Sequence, residues 1–388
     1  MKKLLLVVIA IFFLYGNCNK NKRPEDITTF DNISKEDKVQ YDRKRKDSST
    51  VDRTIARDTS TSRDSGSTDK PLNPSPPSQT LFLVFIHHST GEDWLKPEGG
   101  NLRQKLNENN YYVTDTNYDW GPLDQDVRDG NPIGYHTDIG HWYNWFLGPH
   151  RDIYLNALYN NTYVTPSIGR NTIPPPPDRS KMIIMFKSCF SSAQTLYGDP
   201  DDPPLPEGEP NPIYGKGVCD YGNCNNDRYY TVSNIKGLYR DLLKYFATQQ
   251  DKLFIYITTP PSHDQAVPPE MMERLRGINN WLVHDLLDNY PYNNVAVFDY
   301  YNVLTSNGGD PNTNDIGSPT GSHHRFRNNI VEHLIGPSNF LAYPSPGPDN
   351  HPTPAGHRKA TAEFIPLLNI AVNCWLGKGG CPKLMGRD

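Results

Sequence analysis

Five dense apolar runs, separated by longer stretches of mixed polarity, set the pattern of the chain from Leu81 onward. The runs are 81–87, 111–115 (YYVTD), 182–187 (MIIMFK), 253–258 (LFIYIT) and 294–299 (NVAVFD). Runs this short and this apolar suit parallel strands covered on both faces. The segments between them predict helices at 100–109, 138–159, 232–249, 269–289 and 354–374. Thr231 or Ser233 is the expected cap of the third, and Pro268 or Pro269 the start of the fourth. Repeated strand–helix order predicts a doubly wound α/β domain, a mainly parallel five-stranded sheet with helices on both faces. Ligands of such folds bind beyond the carboxyl ends of the strands. Two proline-bearing stretches, 160–180 and 197–230, are expected as long loops over that end.

Upstream the pattern changes. Residues 19–80 are rich in Lys, Arg, Asp, Ser and Thr, with Pro71, Pro74, Pro76 and Pro77 near the end. Such a segment buries too little apolar surface to offset its ordering entropy, so it is expected as a disordered tether. Before it, Met1-Lys2-Lys3 and the apolar stretch Leu4 to Leu14 have the layout of a signal peptide. That stretch is short of the roughly 20 residues a membrane span needs. Tyr15-Gly16-Asn17-Cys18 resembles a relaxed bacterial lipobox, with Cys18 as the lipidated residue. The expectation is export, with attachment to an envelope membrane through a lipidated N-terminus. Ordinary cleavage with secretion, or an uncleaved anchor, stays open.

Composition narrows the partners. The net charge of −5 gives no electrostatic footprint for nucleic acid. The 35 prolines and 23 tyrosines suit long loops and aromatic surfaces, as in an exported, carbohydrate-facing protein. Cys219/Cys224 and Cys374/Cys381 each bracket a short Gly-containing loop, the spacing of local disulfides. Cys189 is left over at the end of a predicted strand, as a core thiol or a thiol nucleophile. No cofactor motif is present, and a monomer is expected.

The chemistry gathers at two distant places. Ser89 follows the first strand in His87-His88-Ser89-Thr90-Gly91, and Asp349-Asn350-His351 precedes the last helix. A serine hydroxyl is a weak nucleophile until a base, itself oriented by a third group, takes its proton. On these residues, and on Ile255-Tyr256-Ile257-Thr258-Thr259-Pro260-Pro261, the chain resembles the SGNH, or GDSL-like, hydrolases over roughly residues 81–374. The resemblance implies a flavodoxin-like fold and an ester-cleaving serine enzyme, with an acyl-ester or carbohydrate substrate. It implies Ser89 as nucleophile, His351 as base and Asp349 as orienting group. Thr90, Gly91, Gly121, Ser188 and His88 are then the expected oxyanion or pocket residues. The sequence departs from the family pattern in two ways. His87-His88-Ser89 replaces Gly-Asp-Ser, and Asp349 lies two residues before His351, where the family has three.

Other readings remain. Ser89 alone is a helix cap, and an Asp before a helix is an ordinary N-terminal feature. The altered motifs also suit a non-catalytic glycan- or envelope-binding protein on the same fold. His141, His323, His324 and His357 are candidates for a metal site of a metal-dependent hydrolase, although no standard spacing links them. Trp142, Tyr143, Trp145 and Phe146 are expected to pack a helix, with sugar stacking as the alternative.

Overall fold

The computed structural model describes residues 70–189, 196–218, 228–346 and 349–382. The signal-like segment with Cys18, residues 19–69 of the expected tether, and the Cys219/Cys224 pair lie outside the described residues. The strands are β1 (Leu81–Ile86), β2 (Tyr111–Thr116), β3 (Met182–Lys187), β4 (Lys252–Ile257) and β5 (Val295–Phe298). They form one all-parallel sheet in the order β2-β1-β3-β4-β5, the doubly wound α/β arrangement expected from the sequence. This is the flavodoxin-like strand order.

Side chains alternate across a strand, so each apolar run feeds two cores. Phe82, Val84 and Ile86 face one layer, made by α3 (Trp142–Phe146), α4 (Arg151–Tyr159), α5 (Val232–Phe246) and α6 (Pro269–His284). Leu83 and Phe85 face the other, made by α1 (Ser89–Leu95), α2 (Leu102–Glu108), α7 (Tyr300–Val303) and α8 (Pro354–Trp375). Thr231 caps α5 by accepting from the Asn234 N–H at 3.1 Å, and Pro269 opens α6. A disulfide joins Cys374, in the last turn of α8, to Cys381 beyond it.

Several expectations are corrected. The single helix at 138–159 is a short 3-10 turn followed by α3 and α4, because Pro149 has no N–H and disfavours helical backbone at Gly148. His323-His324-Arg325, which lie in no expected element, belong to strand β6 (His323–Arg327), paired antiparallel with β7 (Ile330–Leu334). Asn328 and Asn329, at φ 52° and 63°, form the two-residue turn, which needs positive φ at both positions. Residues 70–80 belong to the ordered domain, where their carbonyls accept from the side chains of Asn369 and Asn373 on α8. The loop at 160–180 touches the site end through its first half, where Thr165 binds Asp115 at the end of β2 and Ser167 donates to Glu92 of α1. Asn171 then pairs with Val113 along the free edge of β2, and Pro174–Pro177 lie near Leu81 at the opposite end of the sheet. The described parts of 197–230 pack against α5 and α6, with Leu205 N–H on Ser233 and Arg274 on Gly198.

Candidate active site

Strand β1 ends at Ile86, and after His87 and the extended His88 the chain turns into α1 with Ser89 as its first residue. The last helix is approached through a tightly bonded segment. Pro344 and Pro352 form an antiparallel bridge, and Thr353 N–H donates to the Tyr343 carbonyl at 2.8 Å. Ser345 donates twice to the His351 carbonyl, from its N–H at 3.3 Å and its hydroxyl at 2.7 Å. Asn350 is buried and accepts from the His263 N–H at 3.0 Å. The backbone of the base is thereby fixed on both sides.

These anchors bring three expected residues together. His351 Nε2 lies 2.7 Å from Ser89 Oγ, and His351 Nδ1 lies 2.5 Å from Asp349 Oδ1. A carboxylate only accepts, so Nδ1 carries the proton and Nε2 is free to accept from the serine hydroxyl. The same Asp349 oxygen accepts the His351 N–H at 3.0 Å. That is an Asx turn, and it carries the carboxylate to the ring despite the two-residue spacing. Partial burial pushes the Asp349 carboxyl up, but the side-chain and backbone hydrogen bonds from His351 outweigh it and hold it below the ordinary carboxylate range. The carboxyl is therefore ionised at neutral pH.

His88 takes a different part from an acidic neighbour. Its Nε2 donates to the Gly134 carbonyl at 2.7 Å, and its ring stacks on Tyr118 with centroids 4.0 Å apart. Burial drives its pKa down to about 3, against the raising effect of the Gly134 bond, so the ring is neutral. Gly134 N–H in turn donates to the Trp120 carbonyl, next to Gly121 at φ +90°. The loop bearing Gly121 is thus tied to the residue before Ser89. A side chain at Gly134 would meet the Asn117 carbonyl at 2.2 Å, so the loops close only over glycine. His87 is fully buried, with Nε2 3.1 Å from Asp115 and Nδ1 2.9 Å from the His88 carbonyl.

The remaining expected residues are less open. Gly91 N–H is committed to the His88 carbonyl, and Gly91 packs so closely on His87 that a Cβ would sit 2.4 Å from the His87 Cβ. Ser188 is buried, and its hydroxyl accepts from the Trp142 indole at 2.9 Å. Thr90 is buried with its hydroxyl 3.5 Å from the Cys189 sulfur, which also lies 4.0 Å from Ser89 Oγ. Cys189 is a free, buried thiol beside two hydroxyls.

The histidines considered for a metal have separate partners. His323 binds Glu363, His324 accepts from the Asp299 N–H, His357 pairs with the Tyr300 hydroxyl, and His141 accepts from the Asp138 N–H. Among the described residues no group of three His, Cys, Asp or Glu side chains is placed to hold a metal ion. Trp142, Trp145 and Phe146 are buried in the core, and Tyr143 stacks on Tyr214. Sequence reasoning passed over Ser345, Asn350 and His263, which position the base. Asn350 stood inside the quoted motif, but Ser345 and His263 carry no local signal and are found only through the tertiary contact.

No protein-family model, curated protein or solved structure matches the chain.

Proposed function

We propose that the protein is a serine esterase or deacylase of the SGNH type, acting on an acylated glycan or another ester. The observation that carries this reading is the hydrogen-bond chain from Asp349 through His351 to Ser89. Ser89 Oγ attacks the ester carbonyl while His351 Nε2 takes its proton. The tetrahedral intermediate collapses as His351 returns that proton to the leaving alcohol. Water, deprotonated by His351, then attacks the acyl-serine, releasing the carboxylic acid and restoring the hydroxyl. Asp349 holds the ring in the required tautomer and stabilises the imidazolium. The N–H groups of Ser89 and Thr90, at the first two positions of α1, have no acceptor within the helix and supply oxyanion donors, with Gly121 N–H as the expected partner. The signal-like Met1–Leu14 segment and Cys18 support an exported, membrane-attached enzyme.

The test is hydrolysis of short-chain p-nitrophenyl esters, together with fluorophosphonate labelling. Wild type should turn over and label at Ser89, whereas Ser89→Ala and His351→Ala should lose about 10⁴-fold or more in kcat. Equal rates in all three proteins would remove the mechanism. A second reading, a non-catalytic glycan-binding protein, draws on the commitment of Gly91 N–H and the Ser188 hydroxyl to other partners. It predicts glycan binding that survives Ser89→Ala, with no ester turnover.

A further inference from the structure

A cleft of about 900 Å³ lies beside the segment that carries the base, with His263, Asp264, Gln265, Asn307, Phe340 and Ser345 among its walls. Ser89 is not among its lining residues, and the cleft meets the site through Ser345, whose N–H and hydroxyl both hold the His351 carbonyl. His263 joins them from the other side, since its N–H holds Asn350. His263 is nine-tenths buried. Its Nδ1 accepts from the Gln265 N–H, which places the ring proton on Nε2, and Nε2 has no hydrogen-bond partner among the described residues. Such a donor is uncommon in a folded protein, but Nε2 is closed off from solvent, so it is the open cleft beside it and not this atom that can receive a group from outside.

The walls narrow the chemistry of that group. The volume is far beyond what an acetyl group fills, and it lies within the range of sites that hold a whole small-molecule ligand. Polar and apolar residues share its walls evenly, with His263, Asp264, Gln265, Asn307, Ser338 and Ser345 as the polar ones, which does not suit a long acyl chain. Exposed Asp264 at its edge disfavours an anionic ligand. Half-buried Phe340 and the exposed ring of Pro344 offer apolar surface between the polar groups. A neutral saccharide, with hydroxyls at its rim and C–H faces on its rings, matches this alternation.

We propose that the cleft is a saccharide subsite, which holds the sugar of an O-acylated glycan and braces His351 through Ser345. The proposal rests on the esterase reading and extends it by assigning where the leaving group's sugar sits. Binding energy from a part of the substrate remote from the reacting carbon then serves to hold the base, so a substrate lacking the sugar loses kcat as well as affinity.

The experiment has two parts. Xylotriose, cellotriose and chitotriose are titrated calorimetrically into the full chain, into Phe340→Ala and into Gln265→Ala. At least one trisaccharide should bind wild type, and each variant should weaken it about tenfold or more. Failure of all three to bind wild type, or undiminished binding in both variants, overturns the subsite. The O-acetylated form of the sugar that binds is then compared with p-nitrophenyl acetate. Both variants should lose about tenfold in kcat/KM on the acetylated sugar and keep their rate on p-nitrophenyl acetate. Parallel losses on the two esters overturn the proposal, as does no loss on either. Gln265 is exposed, so its variant stands if Phe340→Ala does not fold. If wild type binds a trisaccharide through these residues yet cleaves neither ester, the esterase reading fails while the saccharide subsite stands.

Discussion

At the scale of single residues, the Asp349 carboxylate carries the most weight for its size. Counting along the chain puts it one residue nearer His351 than the family spacing. The count misses the turn. One carboxylate oxygen takes both the N–H and the ring Nδ1–H of His351, and the N–H bond is that of an Asx turn, which spans two residues. The side chain is about half exposed, so its removal should disturb folding little while releasing the ring's tautomer and tilt. Asp349→Ala is expected to lower kcat about 10²–10⁴-fold, with KM and melting temperature nearly unchanged. Steady-state kinetics beside a thermal melt checks this, and a kcat within threefold of wild type would remove Asp349 from the mechanism. Ser89 and His351 were legible because each adjoins a strong element boundary. Ser345 and His263 were not, since their roles exist only once distant loops meet.

Among the elements, strands read well and connections read poorly. Runs such as MIIMFK are buried on both faces, so composition alone marks them, and β3 coincides with its expected range. The seven-residue α1 and four-residue α7 are too short to show a helical period, and the Asn328-Asn329 turn was lost among polar neighbours. The stretch 70–80 misled for a different reason. Its composition is that of a tether, but it is held through its backbone, which composition does not report. Asn369 donates to the Pro74 carbonyl, Asn373 to those of Asn73 and Ser75, and Gly380 N–H to that of Pro71. Removing the strap takes both acceptors from the Asn373 amide and one from Asn369, which keeps Asn109. Each of these four hydrogen bonds is worth about 0.5–1.5 kcal/mol net. A chain beginning at Leu81 should therefore be about 2–6 kcal/mol less stable than one beginning at Lys70. Urea unfolding of the two proteins measures the difference, and equal midpoints with equal slopes would show that the strap contributes nothing.

For the molecule as a whole, the two cores bury histidines that must stay neutral, and this sets how the fold responds to acid. His88 and His357 are fully enclosed, and burial lowers both to a pKa of about 3. His357 Nδ1 pairs with the Tyr300 hydroxyl, and His88 spends its single proton on Gly134. In the unfolded chain both titrate near the ordinary histidine value of about 6.5. Below that pH the unfolded state binds protons that the native state refuses, so stability is fully present above about 6.5 and falls as pH drops toward 3. Each histidine contributes a slope of up to about 1.4 kcal/mol per pH unit, so the pair removes about 3–4 kcal/mol between pH 6.5 and 5. Asp299 does not share this window. Asp299, fully buried, is lowered to about 2 by its hydrogen bond to His333, which overcomes the burial that would raise it. Its loss therefore falls below its unfolded value near 4. His136 acts with the opposite sign. Burial lowers it, but bonds to Asp124 and Asp129 raise it overall, so its contribution is lost as pH rises above the ordinary histidine range. Urea unfolding at pH 7, 6 and 5 should show the midpoint falling with acid. His357→Gln, whatever its own cost in stability, should shrink the pH slope by about half. A wild-type midpoint that is flat from pH 7 to 5 would mean that these histidines take up protons without unfolding the chain, and the neutral clamp on Gly134 would have to be abandoned.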